Sequence, residues 1–190
     1  AFDLEGMYAH AAWGTATDDV WAVGPDGLAG HWAGSMWMVR RVGTSLDLYD
    51  VAGSGADDVW AVGEAGTVVH WDGSSWSAVD SGSTAALEGV WSAGPTDAWI
   101  VAWDAEILRW DGVAWAPGGP AAALAAISGF GPEDVWAVGT PGPALHWDGS
   151  SWSEVDTGIH YGTLSAIWTG GSSDVMVGGS MGSILLRRGE

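Results

Sequence analysis

His70-Trp71-Asp72-Gly73-Ser74-Ser75-Trp76-Ser77, read as HWDGSSWS, recurs letter for letter at residues 146–153 of a 190-residue chain. An identity of that length marks a repeated unit, and its phase extends well beyond the eight letters. The motif Asp-Val-Trp-Ala-Val-Gly and its variants open five copies at Asp19, Asp58, Asp97, Asp134 and Asp174, spaced by 39, 39, 37 and 40 residues. Periods of this size belong to propellers and solenoids. With each Asp as position zero, position +13 is Trp32, Trp71, Trp110, Trp147 and finally Arg187, and a glycine follows two residues later in every copy.

Each copy reads as β-structure. Val59–Val62 is a short apolar, β-branched run, Glu64-Ala65-Gly66 is a loop, and Thr67–Trp71 is a second run. Asp72-Gly73 suits a tight type I′ hairpin, in which both central residues need φ > 0. A third run follows at Trp76–Val79, and a fourth precedes each Asp, as in Leu164–Trp168. No segment shows helical periodicity over a useful length. Four antiparallel strands in about 40 residues make a propeller blade. The expected fold is therefore all-β, a single five-bladed β-propeller domain over residues 1–190. The fifth copy stops at Glu190, before its fourth strand, and Phe2 falls in phase with Trp37, Trp76, Trp115 and Trp152. Residues 1–6 are thus expected to complete the last blade and remove an open sheet edge.

Composition narrows the function. Twenty-four acidic residues against five arginines give a net charge of −19, which repels nucleic-acid phosphates and anionic membranes. The chain has no Cys, Lys, Asn or Gln, so thiol chemistry, Cys-ligated zinc and N-glycosylation are absent. No apolar run reaches 18 residues, and no membrane insertion is expected.

The repeat resembles short-repeat five-bladed propellers of the tachylectin-2-like lectin type, and Asp-Gly-Ser-Ser-Trp is similar to the Asp-box of sialidase-like propellers. The Asp-box differs in carrying Ser two residues before its Asp and one more residue before its aromatic. The resemblance implies the fold and, through the lectins, carbohydrate recognition. In those families the Asp-box stabilises a turn away from the site.

Sites are sought where the copies differ. In a four-stranded meander the loops between second and third strands share a face with the connections between blades, and this loop face holds the variety. Only the third copy places Trp there, as Trp103-Asp104. Trp103 suits stacking under a sugar ring with Asp104 accepting hydroxyl hydrogen bonds, or else packing on a neighbouring blade. His160 and Tyr161 form a second candidate contact, and Arg40-Arg41 are read as solvated or paired with acids. Nine residues before each Asp stand His10, Tyr49, Glu88, Ala125 and Ser165. The first three form a polar arc for a small ligand, with Asp50 adjacent, and are too few to define a metal site. His31, His70 and His146 recur at +12 and read as scaffold. Gly178-Gly179-Ser180-Met181-Gly182 matches the nucleophile-elbow pattern but lies between two strands rather than on a strand-to-helix turn. The expectation is a non-enzymatic, monomeric glycan-binding module without metal or cofactor, extracellular or at the cell surface. The alternative is a protein-interaction or structural propeller.

Overall fold

The computed structural model describes residues 8–141, 144–159, 161–170, 174–180 and 184–187. Four consecutive sheets each contain four antiparallel strands in sequence order. The first holds β1 (Ala11–Ala16), β2 (Asp19–Val23), β3 (Leu28–Trp32) and β4 (Trp37–Arg41). The second holds β5 (Leu48–Gly55), β6 (Asp58–Gly63), β7 (Val68–Trp71) and β8 (Trp76–Ala78). The third holds β9 (Leu87–Gly94), β10 (Asp97–Ala102), β11 (Ala105–Trp110) and β12 (Trp115–Ala122). The fourth holds β13 (Leu124–Gly131), β14 (Asp134–Gly139), β15 (Ala144–Trp147) and β16 (Trp152–Val155). Among the described residues the fifth has three strands, β17 (Leu164–Gly170), β18 (Asp174–Gly179) and β19 (Ile184–Arg187). The segment expected to complete it, residues 1–6, lies outside the described residues.

The anchor motif is continuously apolar because its strand is buried on both faces. Side chains alternate across a strand, so Val59 and Ala61 of β6 join a core with Trp21 and Val23 of the first sheet. Trp60 and Val62 join the next core, with Val90, Ala98 and Ile100 of the third. The same alternation sends Trp99 and Val101 toward Val135 and Ala137, and Trp136 and Val138 toward Val175 and Val177. The inner strands therefore pack in the order β1, β5, β9, β13, β17. Among the described residues no packing of that extent joins β17 back to β1.

Tryptophan pairs form the seams. Trp21 meets Trp71 of the second sheet at 5.1 Å and Trp76 edge-on at 5.2 Å. Trp60 meets Trp110 and Trp115 at 5.0 and 5.1 Å, and Trp99 meets Trp147 and Trp152 at 5.2 and 5.4 Å. Offset and edge-to-face geometry of this kind adds to the area each ring buries.

The repeated turn differs from the type I′ hairpin expected of Asp72-Gly73. Only Gly73 is left-handed, with φ 89°, and Asp72 is not among the residues of positive φ. The Asp72 carboxylate turns back to accept from the backbone N–H of Ser74 and Ser75, each at 2.8 Å, and from the Ser74 hydroxyl at 2.7 Å. Asp148 does the same with Ser150 and Ser151. A four-residue turn capped by its own side chain replaces the two-residue one.

Candidate functional site

The two faces of the arc have different chemistry. On the turn face, the Asp at position zero meets the +12 residue across two neighbouring strands. His31 Nε2 lies 2.7 Å from Asp19 Oδ1, and His70 and His146 repeat this at 2.8 Å with Asp58 and Asp134. In the third sheet Arg109 replaces the histidine and donates twice to Asp97, at 2.9 and 3.0 Å. Each +12 group also lies against the +2 indole opposite it. His31 stacks on Trp21 at 4.1 Å, His70 on Trp60 at 4.0 Å, and the Arg109 guanidinium sits 4.6 Å from Trp99. Asp58 accepts further from Ser54 at 2.6 Å and from Ser92 of the next sheet at 3.1 Å. Burial works to raise its pKa, but the bonds from His70, Ser54 and Ser92 hold it below the usual carboxylate value. At +13 the indole N–H of Trp32, Trp71, Trp110 and Trp147 donates at 3.1 Å to the carbonyl two residues before the Asp. These histidines and tryptophans hold each sheet to its own turn and to the neighbouring sheet.

The loop face gathers charge. Three non-glycine residues there, Asp26, Ala65 and Asp104, are left-handed at the tips of the second-to-third-strand loops. The His10 ring lies 6.1 Å from that of Tyr49, and its Nδ1 donates to the Leu48 carbonyl at 2.8 Å, which leaves Nε2 as the remaining nitrogen. Tyr49 is half-buried; burial, then the negative charges of Glu64, Asp47 and Glu88, push its phenol above its ordinary pKa. Glu88 is itself raised by burial. Asp47 ties the neighbouring loops together. Its carboxylate accepts from the Asp26 N–H and its carbonyl from the Glu64 N–H, both at 2.9 Å. Beneath them, burial pushes Asp50 up to about 6 although it accepts from the backbone N–H groups of Val90 and Val51, both at 2.9 Å.

Three of the expected site residues, His10, Tyr49 and Glu88, are thus brought to one place, from three successive sheets. Asp47 and Glu64 belong with them and were not singled out by the sequence; the other copies carry Pro25, Trp103, Thr140 and Ser180 at the position of Glu64. Trp103 and Asp104 follow Ala102, which pairs with Leu87 next to Glu88. Trp103 is 45% exposed and makes no ring contact among the described residues, so it does not pack on a neighbouring blade's aromatic rings. Tyr161 is 84% exposed, and His160 falls outside the described residues. Arg40 sits 5.9 Å from the Trp71 ring and Arg41 donates to the Asp26 carbonyl, so neither is simply solvated. No group of three or more His, Asp or Glu residues among the described residues is arranged to hold a metal ion.

No protein-family model matches the chain, and no curated protein matches it. Solved structures match it in fold. U3-55K superposes with a TM-score of 0.81 at 16% identity, covering 95% of this chain and 61% of that one. The WD40 β-propeller domain of Doa1 gives 0.75 at 13% identity, covering 95% and 64%. YCF48 bound to D1 peptide gives 0.70 at 15% identity, covering 92% and 61%. The chain is a repeat β-propeller of four-stranded antiparallel sheets, similar in fold to WD40 propellers, and spans about three fifths of the length of the structures it matches. The likeness to tachylectin-2-like lectins and to the Asp-box finds no counterpart in these matches, and carbohydrate binding gains no support from them. The expected extracellular or cell-surface location is corrected: the structures the chain matches in fold include the WD40 repeats of RRP9 and the WD40 propeller domain of Doa1, which point away from it.

Proposed function

We propose that residues 1–190 act as one non-enzymatic propeller domain that binds a polypeptide on the loop face of its first three sheets, the five sheets being consecutive blades. The observation that carries this reading is the setting of Tyr49, an amphipathic ring beside His10 and within the field of Asp47, Glu64 and Glu88. An aromatic anchor ringed by carboxylates suits an extended segment with Lys or Arg, whose aliphatic stems lie on the ring while their charges meet the acids. The chain's net charge of −19 favours the approach of such a partner and repels an acidic one. A propeller of like fold, YCF48, has been solved with a peptide bound. The turn face offers less, because the carboxylates of Asp19, Asp58, Asp97, Asp134, Asp72 and Asp148 are already committed to His, Arg, Ser and backbone groups.

Fluorescence anisotropy with a labelled Arg/Lys-rich peptide and an acidic peptide of equal length tests the reading. Only the basic peptide binds, and it binds more weakly as salt rises. Glu64→Gln with Glu88→Gln weakens it about tenfold, and Tyr49→Ala more than that. Equal binding of the two peptides, or affinity untouched by these substitutions, would overturn it.

A further inference from the structure

The loop-face site stands over a carboxylate that the repeat itself does not require. Eight residues before each anchor Asp the copies read Ala11, Asp50, Gly89, Ala126 and Ala166. This position faces the inner strand of the next sheet: a Cβ on Gly89 would lie 3.4 Å from the Ala126 Cα and from the Ile127 side chain. In the second copy the Asp50 carboxylate takes that direction. One oxygen accepts from the Val51 N–H of its own strand and the other from the Val90 N–H of β9, both at 2.9 Å. β5 and β9 each have a sheet partner on one side only, so Asp50 joins two inner strands that no ladder joins. The other four copies have only Ala or Gly at this position.

The bridge lies between two residues of the site above it. Tyr49 precedes Asp50, and Glu88 stands two residues before Val90, so the placement of the phenol against the Glu88 carboxylate passes through this bond. An ionised carboxylate accepts at both oxygens, whereas protonation turns one of them into a donor and leaves the two N–H groups a weaker set of acceptors. Charged groups on the elements packed against β5 bear on that ionisation. Toward the loop face stand His10, just before β1, Asp26 in the loop between β2 and β3, and Glu88 in β9, with Asp47 and Glu64 beside them. Asp19 of β2 and Asp58 of β6 stand at the turn face, bonded to His31 and His70. A cation brought to the loop face offsets the acids there and favours the ionised form of Asp50.

We propose that Asp50 is the proton switch of the loop-face site: ionised, it staples β5 to β9, fixes Tyr49 against Glu88 and adds its charge beneath a basic side chain, and protonated, it gives up both the staple and the charge. This regulation presupposes the polypeptide site proposed above. Burial holds the Asp50 carboxyl at about 6 in the free protein, so the switch works in the mildly acidic range. The fold loses no stability through Asp50 on that side, because the neutral form carries no burial penalty. By linkage, a basic peptide that prefers the ionised form lowers the pKa of Asp50 and expels its proton.

Anisotropy with the labelled Arg/Lys-rich peptide, at constant ionic strength between pH 7.5 and pH 5, tests the switch. Native affinity falls at least about fivefold over that range. Asp50→Asn keeps the shape and one acceptor but exchanges no proton; it binds about tenfold more weakly at pH 7.5 and changes less than about twofold down to pH 5. His10→Gln retains the native fall. Titration calorimetry of the native chain at pH 6, in two buffers of different ionisation enthalpy, reads the proton without any variant: about half a proton is released per peptide bound. A fall that survives Asp50→Asn, a fall that disappears in His10→Gln, or binding without proton release would each overturn the switch and leave the peptide site standing. No binding of the basic peptide to the native chain at pH 7.5 would overturn both.

Discussion

The second and fifth sheets share the anchor Asp and the strand that follows it, yet they differ at the two positions that face each other across the second and third strands. In the second sheet Trp60 opposes His70, which bonds Asp58, and both Trp60 and Asp58 are buried. In the fifth, Met176 opposes Leu186, and Leu186 has nothing with which to hold Asp174. The aromatic at +2 and the histidine or arginine at +12 are therefore kept or lost together, while the carboxylate at zero stays in every copy. An indole gives the imidazole a surface to stack on, and the imidazole gives the carboxylate a partner that offsets its burial.

Substitutions can break that comparison in order of size. Trp60→Ala opens a cavity between the second and third sheets and costs about 3–5 kcal/mol in chemical denaturation, whereas Met176→Ala costs less than about 1 kcal/mol. Asp58→Ala strands His70, Ser54 and Ser92 and costs about 2–3 kcal/mol; Asp174→Ala stays within about 0.5 kcal/mol. Because the folded-state pKa of Asp58 is depressed, its contribution is present above about pH 4, the unfolded value, and is lost as pH falls through the folded value.

Asp50 has the opposite sign. Its folded pKa of about 6 lies above the unfolded value, so its ionisation opposes folding: the penalty is absent below about pH 4 and complete above about pH 6. Between those limits the stability of Asp50→Asn improves on the native chain by about 3 kcal/mol, read from denaturation midpoints across pH. The smallest effect is at the turn. Asp148, lowered to about 2 by the Ser150 hydroxyl and the N–H groups of Ser151 and Ser150, is exposed, and Asp148→Ala gives the least change in Tm of the series.

Much of this architecture is legible in the chain. The phase of Asp, Trp and Gly sets the strands, and the doubly buried second strand explains why Val59–Val62 shows no polar alternation. The Asp–His bonds were visible only as recurrence, since residues 12 apart meet only once the strands between them are in register. The turn was misread because dipeptide preference describes the backbone, while the Asp72 carboxylate, by reaching the Ser74 and Ser75 N–H groups, selects another turn. Tyr49 was found at its repeat position and Asp47 stands two residues before it, but Glu64 reaches it from the loop between the second and third strands, a proximity that no spacing encodes. Trp103 drew attention as an oddity of one loop, and it makes no ring contact among the described residues.

The division of labour between the faces is tested most directly by amide chemical shifts in the presence of an Arg/Lys-rich peptide. Shifts confined to residues 47–50, 64–66 and 88, with residues 72–75 and 148–151 unmoved, are the result expected of a loop-face interaction site on a turn-face scaffold. Shifts centred on the two HWDGSSWS turns, with Tyr49 and Glu88 silent, would contradict it and make the repeated octapeptide the site.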